Sequence, residues 1–148
     1  MSNYYEKMAQ CAKISIRSRE IEKILTPGGI SSFFKKVDCA STLSEIGQLQ
    51  SQVRELTSDF DSATSHSPDS GAFIASIQNY LKGLSMSFIR LSMICKSLDK
   101  KQRGEQNNYQ EDLQLYMVHL RVFNEMAEET AGLFKKFSNE LRSNKFIT

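Results

Sequence analysis

The stretch FIASIQNYLKGLSMSFIRLSMICKSL, Phe73 to Leu98, decides the fold. It contains no acidic residue and only three basic ones, Lys82, Arg90 and Lys96. Ile74, Ile77, Leu81, Leu84, Phe88, Leu91, Cys95 and Leu98 recur at alternating steps of three and four. That spacing puts eight side chains on one helical stripe, a heptad seam. Phe73, Tyr80 and Ile94 flank the seam and broaden it. The ends are marked too. Ser67 can cap the helix, Pro68 suits its first position, and Asp69 suits the positive end of the dipole. Lys100, Lys101 and then Gly104 signal its C-terminus. A membrane span is excluded, because Gln78, Asn79, Lys82, Arg90 and Lys96 break any run of about 18 apolar residues.

Outward from this segment, three clusters of breakers divide the chain: TPGG at 26–29, SATSHSPDSG at 62–71 and DKKQRGEQNN at 99–108. The last segment repeats the seam, with Leu113, Tyr116, Leu120, Phe123, Ala127, Thr130, Phe134, Phe137 and Leu141. Asn108 and Glu111 resemble a capping box at its start. The second segment carries Ile46, Leu49, Val53, Leu56 and Phe60, preceded by Phe34 and Val37, with Ser31 or Ser32 as its cap. The first is weaker: Tyr4, Met8, Cys11, Ile14, Ile21 and Leu25 form a rough stripe that includes Ser18. The spacing predicts helices over 4–25, 31–61, 68–101 and 108–144 in a single domain, 1–148. The predicted fold is all-α: an antiparallel up-down-up-down four-helix bundle with coiled-coil-like heptad seams. The first helix is nearer 30 Å, against roughly 45–55 Å for the other three.

Composition narrows the function. A net charge of +2 lacks the basic bias of a dedicated nucleic-acid binder, and no nucleic acid is expected. Cys11, Cys39 and Cys95 are odd in number and never spaced C-x-x-C, which points to reduced thiols and a cytoplasmic location. His66 and His119 have none of the glutamate partners of a bundle metal site, so no metal or cofactor is expected. Phosphate-cradling and nucleophile-elbow motifs are absent from the sequence. Cys39, beside Lys35, Lys36 and Asp38, reads as the most exposed thiol, and with His119 it is the sole basis for an enzyme. The chain is therefore read as non-enzymatic. Ser67-Pro68 is a minimal proline-directed phosphorylation site, and a phosphate there would meet a helix N-terminus.

One feature exceeds what a bundle needs. Met86, Ile89 and Met93 form a second stripe roughly opposite the seam, and Leu115, Val118 and Val122 do the same in the fourth segment. Folding the two segments into a hairpin puts Met93 near residue 114, Ile89 near 118 and Met86 near 121. Either the first helix or a kinked second helix covers this patch, or it is an exposed contact for self-association or a partner helix. The reading is an intracellular helical-bundle interaction or oligomerisation domain, an adaptor or scaffold. Its partner is another protein or itself, as a homodimer or higher assembly, and the chain is allowed to be the N-terminal domain of a larger protein. The alternative is a membrane-active bundle of cell-death or membrane-remodelling type. It would lie peripherally on anionic lipid through Lys35, Lys36, Lys82, Arg90, Lys96, Lys135 and Lys136, residues that equally suit an acidic partner.

Overall fold

The structure is a computed structural model that describes residues 2–26, 36–64 and 67–147, with side chains described for 4–26, 36–64 and 67–139. Four helices pack against one another: α1 (Ser2–Leu25), α2 (Cys39–Asp61), α3 (Pro68–Gln102) and α4 (Tyr109–Ile147). No strand occurs among the described residues. At 35 and 39 residues, α3 and α4 are about 52 and 58 Å long, while α1 and α2 reach only about 35 Å.

The helix ends follow local chemistry. Ser67 accepts from Ser70 N–H at 3.0 Å, and Ser70 Oγ accepts from Ser67 N–H at 3.0 Å, a reciprocal capping box ahead of Pro68. At the other end of α3, Gly104 takes φ +75°. Its N–H donates to Lys101 O, and Glu105 N–H donates to Lys100 O at 2.9 Å, the Schellman pair that occupies the last carbonyls. The start of α4 differs from the expected Asn108–Glu111 box. Asn107 Oδ1 takes the Tyr109 N–H at 3.1 Å instead.

The second helix is shorter than the sequence suggested. Ser31 and Ser32 lie outside the described residues, and Lys36, Val37 and Asp38 are not helical. Asp38 is the cap, its carboxylate accepting from Ser41 N–H at 3.0 Å. Val37 is kept out of the helix by a residue far along the chain. The Gln102 side chain takes Val37 N–H at 2.7 Å and donates to Val37 O at 3.1 Å. This clamp also lowers Cys39 into the core, where it is 4% exposed, so the expectation of an exposed thiol is overturned.

The expected seams form the core. Every α3 seam residue from Ile74 to Cys95 is buried, as are Ile46, Leu49, Val53, Leu56 and Phe60 of α2. On α4, Tyr116, Leu120, Phe123, Thr130 and Phe137 are buried, with Leu113, Ala127 and Phe134 packed beside them. Leu141 lies beyond the described side chains. Each fully buried Leu, Ile or Phe contributes about 1.5–3 kcal/mol.

The first helix, weakest in pattern, is pinned by polar bonds and rings. Tyr109 Oη donates to Leu25 O, and Tyr116 Oη donates to Glu22 at 2.5 Å. Arg17 bridges Glu20 and Glu45, and Tyr4 joins the ring cluster of Phe60, Phe73 and Phe137. Ser18, unexpected in a stripe, is tolerated because its hydroxyl donates to Ser15 O at 2.6 Å.

Candidate functional site: the outer face of α3 and α4

The face is positioned by the way α3 meets α4. A row that hydropathy does not reveal makes this contact: Phe73, Ser76, Tyr80, Gly83, Ser87, Arg90, Ile94 and Ser97, again stepping by three and four. Three hydrogen-bonded levels cross it. Ser76 Oγ lies 2.7 Å from Thr130 Oγ1, Ser87 Oγ lies 2.8 Å from His119 Nε2, and Ser97 donates to Asp112. Between them a Cβ on Gly83 would lie 2.8 Å from the Phe123 ring, so glycine here permits a close approach. The pairs that meet across this contact are 76 with 130, 87 with 119 and 97 with 112.

His119 is half-buried at this boundary, with its Nε2 also 3.0 Å from Gly83 O. Burial, and then the nearby Arg90 charge, hold its pKa below the usual histidine range. Cys39 does not approach it. Cys95 Sγ donates to Cys39 O, eight residues further along α3 from Ser87, so the two side chains are separated by about 12 Å of helix axis. That pair is not assembled for proton transfer. Burial pushes the Cys11 thiol up to about 11 and Cys95 up to about 12, and raises Cys39 too. No cluster of three His, Cys, Asp or Glu able to hold a metal occurs among the described residues. No described helix is long and apolar enough to cross a membrane.

The stripes singled out from sequence are exposed. Met86, Ile89, Met93, Leu115, Val118 and Val122 are between 38% and 64% accessible, so neither α1 nor α2 covers them. The reason is geometric. Inner-seam residues of α3 bury against α1 and α2, the small-residue row turns to α4, and the Met86 row falls on the remaining side. With period 3.6, the exposed rows of both helices project from the same side of the pair, away from α1. The face continues toward the C-terminal half of α4 as a groove of about 340 Å³ between Ala72, Ala75 and Asn79 on one side and Met126 and Leu133 on the other. Met117 is also exposed but projects about 100° away from Val118.

The basic residues proposed for lipid contact do not gather. Lys36 lies beside the α3 C-terminus, and Lys135 and Lys136 lie on the far half of α4; all three are exposed, while Lys35 lies outside the described residues. Lys82 and Lys96 are exposed on the outer row of α3, whereas Arg90 is half-buried with its Nε unpartnered. Ser67 is half-buried as the α3 cap. A separate cavity of about 300 Å³, between Met8, Cys11 and Ile16 of α1, Tyr80 of α3 and Ala127 and Thr130 of α4, gave no sequence signal because its lining is ordinary core and small residues.

Comparison with known protein families, curated proteins and solved structures found no match for this chain.

Proposed function

We propose that this chain is a non-enzymatic protein-interaction domain of adaptor or scaffold type, working through the outer face of α3 and α4. The observation that carries the reading is the six-residue apolar patch, exposed on two long helices in matching register. Soluble chains rarely leave such a contiguous row open unless it is a contact surface. Two methionines add side chains that repack readily against a partner. The same reading takes the helices as an antiparallel up-down-up-down bundle with heptad seams. The opposed order of the pairs Cys39–Cys95 and Phe60–Phe73, Ser76–Thr130 and Ser97–Asp112, and Tyr4–Phe137 and Leu25–Tyr109 supports it. A lipid contact has less support, because the basic row of α3 runs beside the acidic residues Glu111, Glu125 and Glu129 of α4.

Light scattering across a concentration series tests the proposal. Association is expected by tens of micromolar. Replacing Ile89 and Val118 with Asp should abolish it while leaving the melting temperature of dilute protein within a few degrees. A wild-type chain that stays monomeric throughout, or a substituted chain that no longer folds, would refute the reading.

A further inference from the structure

We infer that the occupant of this face is a second copy of the same chain, docked about a two-fold axis parallel to the helices, with α3 of each protomer lying over α4 of its partner. The inference rests on the proposed interaction role and adds the partner and its geometry. The charges around the patch argue for it. On α3 the triad Met86, Ile89 and Met93 is bracketed along its own heptad row by Lys82 and Lys96. On α4 the triad Leu115, Val118 and Val122 is bracketed in the same way by Glu111 and Glu125. All four charged residues are exposed, and none has an ion-pair partner among the described residues.

The register within one chain sets Lys82 level with Glu125 and Lys96 level with Glu111. A two-fold axis parallel to the helices preserves height and exchanges α3 for α4. It therefore brings Lys82 against Glu125 of the second copy and Lys96 against its Glu111, each twice per dimer, while the apolar triads close on one another between them. An axis across the helices would instead lay α3 on α3 and α4 on α4. Lysine would then oppose lysine, and glutamate would oppose glutamate, an arrangement that like-charge repulsion penalises.

The size of the face is sufficient. From Ala72 to Lys96 it is about 36 Å long, and two helices about 10 Å apart make it about 20 Å wide. That is roughly 700 Å² on each protomer, just under the 800 Å² typical of a stable interface, and it points to micromolar affinity. Arg90, half-buried on the α4-facing row of α3 near His119, would lie close to its own symmetry mate. It is the unfavourable element of the arrangement, so Arg90→Met should tighten the dimer.

Charge-reversed chains test the pairing. Lys82→Glu alone and Glu125→Lys alone are each expected to weaken self-association at least tenfold, with unchanged melting of the dilute monomer. An equimolar mixture of the two should associate at wild-type strength, because every cross-pair in the mixed dimer is then opposite in sign. Sedimentation equilibrium reads all three samples and the Arg90→Met chain. Single variants that associate like wild type, or a mixture no tighter than its components, would overturn the arrangement. Loss of association in the Ile89 and Val118 variant would then leave the interaction face standing. A wild-type chain monomeric at every concentration would refute both.

Discussion

Gly83→Ala is a small perturbation whose sign depends on the distance between α3 and α4. In an open helix the change stabilises by about 1 kcal/mol, because alanine restricts the unfolded chain and is the better helix former. At Gly83 the added methyl would meet Phe123 Cδ2 at 2.8 Å, with Cε2 at 3.4 Å and Met126 Sδ at 3.5 Å behind it. The neighbour is the ring of a buried phenylalanine, not the free end of a flexible chain, so either α4 shifts or Phe123 leaves its rotamer. Overpacking of this kind costs about 1–3 kcal/mol. The net effect is a loss of about 0–2 kcal/mol.

The same substitution elsewhere supplies the reference. Gly47 in α2 and Gly132 in α4 have nothing within 4 Å of an added Cβ, so each alanine there should stabilise by about 0.5–1 kcal/mol. In a chain of this size that is about 2–4 °C in melting temperature per kcal/mol. Urea titration of the three variants, at concentrations where the chain is monomeric, should separate Gly83 from the other two by about 1–3 kcal/mol. Pairing Gly83→Ala with Phe123→Leu should recover part of the loss, with a coupling of about 1 kcal/mol. If Gly83→Ala stabilises as much as its two counterparts, the close approach does not exist, and the register built on it falls as well.

Two further outcomes bear on the buried titratable groups. Burial lowers the pKa of His119 in the folded chain, while unfolded it binds a proton near pH 6.5. Its contribution to stability is therefore complete above that pH and is lost as pH falls through the folded value; urea midpoints at pH 7.5 and 5.5 should diverge less in His119→Gln, and an identical divergence in both chains would refute this. The thiols of Cys11, Cys39 and Cys95 are buried with raised pKa values, so a chromogenic disulfide reagent at pH 8 should label them slowly when native and all at once in denaturant; a thiol labelled within seconds in the native chain would contradict the burial.

The helix α3 shows why some of this architecture was legible in the sequence and some was not. Its residues form three rows, each stepping by three and four. The inner row is Leu, Ile, Phe and one Cys, so its burial could be read directly, and its 3.5-residue period implied a long helix against other helices. The row facing α4 is half serine and glycine, which on composition alone reads as a solvated side. It is buried, apart from half-buried Ser76 and Arg90, because small residues let α4 approach and because Thr130, His119 and Asp112 each meet one of its hydroxyls. The sequence carries that signal only as a pairing across more than fifty residues at one end and fifteen at the other, and hydropathy along one strip cannot register it. Cys39 failed for a related reason. The charges beside it suggested exposure, while the Gln102 side chain that sets its depth is 63 residues away.

The outer row is the converse case, since Met86, Ile89 and Met93 have inner-row composition and no inner-row neighbours. Hydrophobicity ranked the rows correctly as candidates for burial. The polar levels with α4 then determined which row the chain buries within itself. Once Ser76, Ser87 and Ser97 face α4, the period of the helix turns the methionine row away from every other element of the fold. Moving that row inward would require rotating α3 about its axis and would break all three hydrogen-bonded levels at once. At about 1 kcal/mol for each level, more where a buried hydroxyl or carboxylate is left unpaired, the rotation is opposed by several kcal/mol. The outer face is therefore held open by the same serines that join the hairpin.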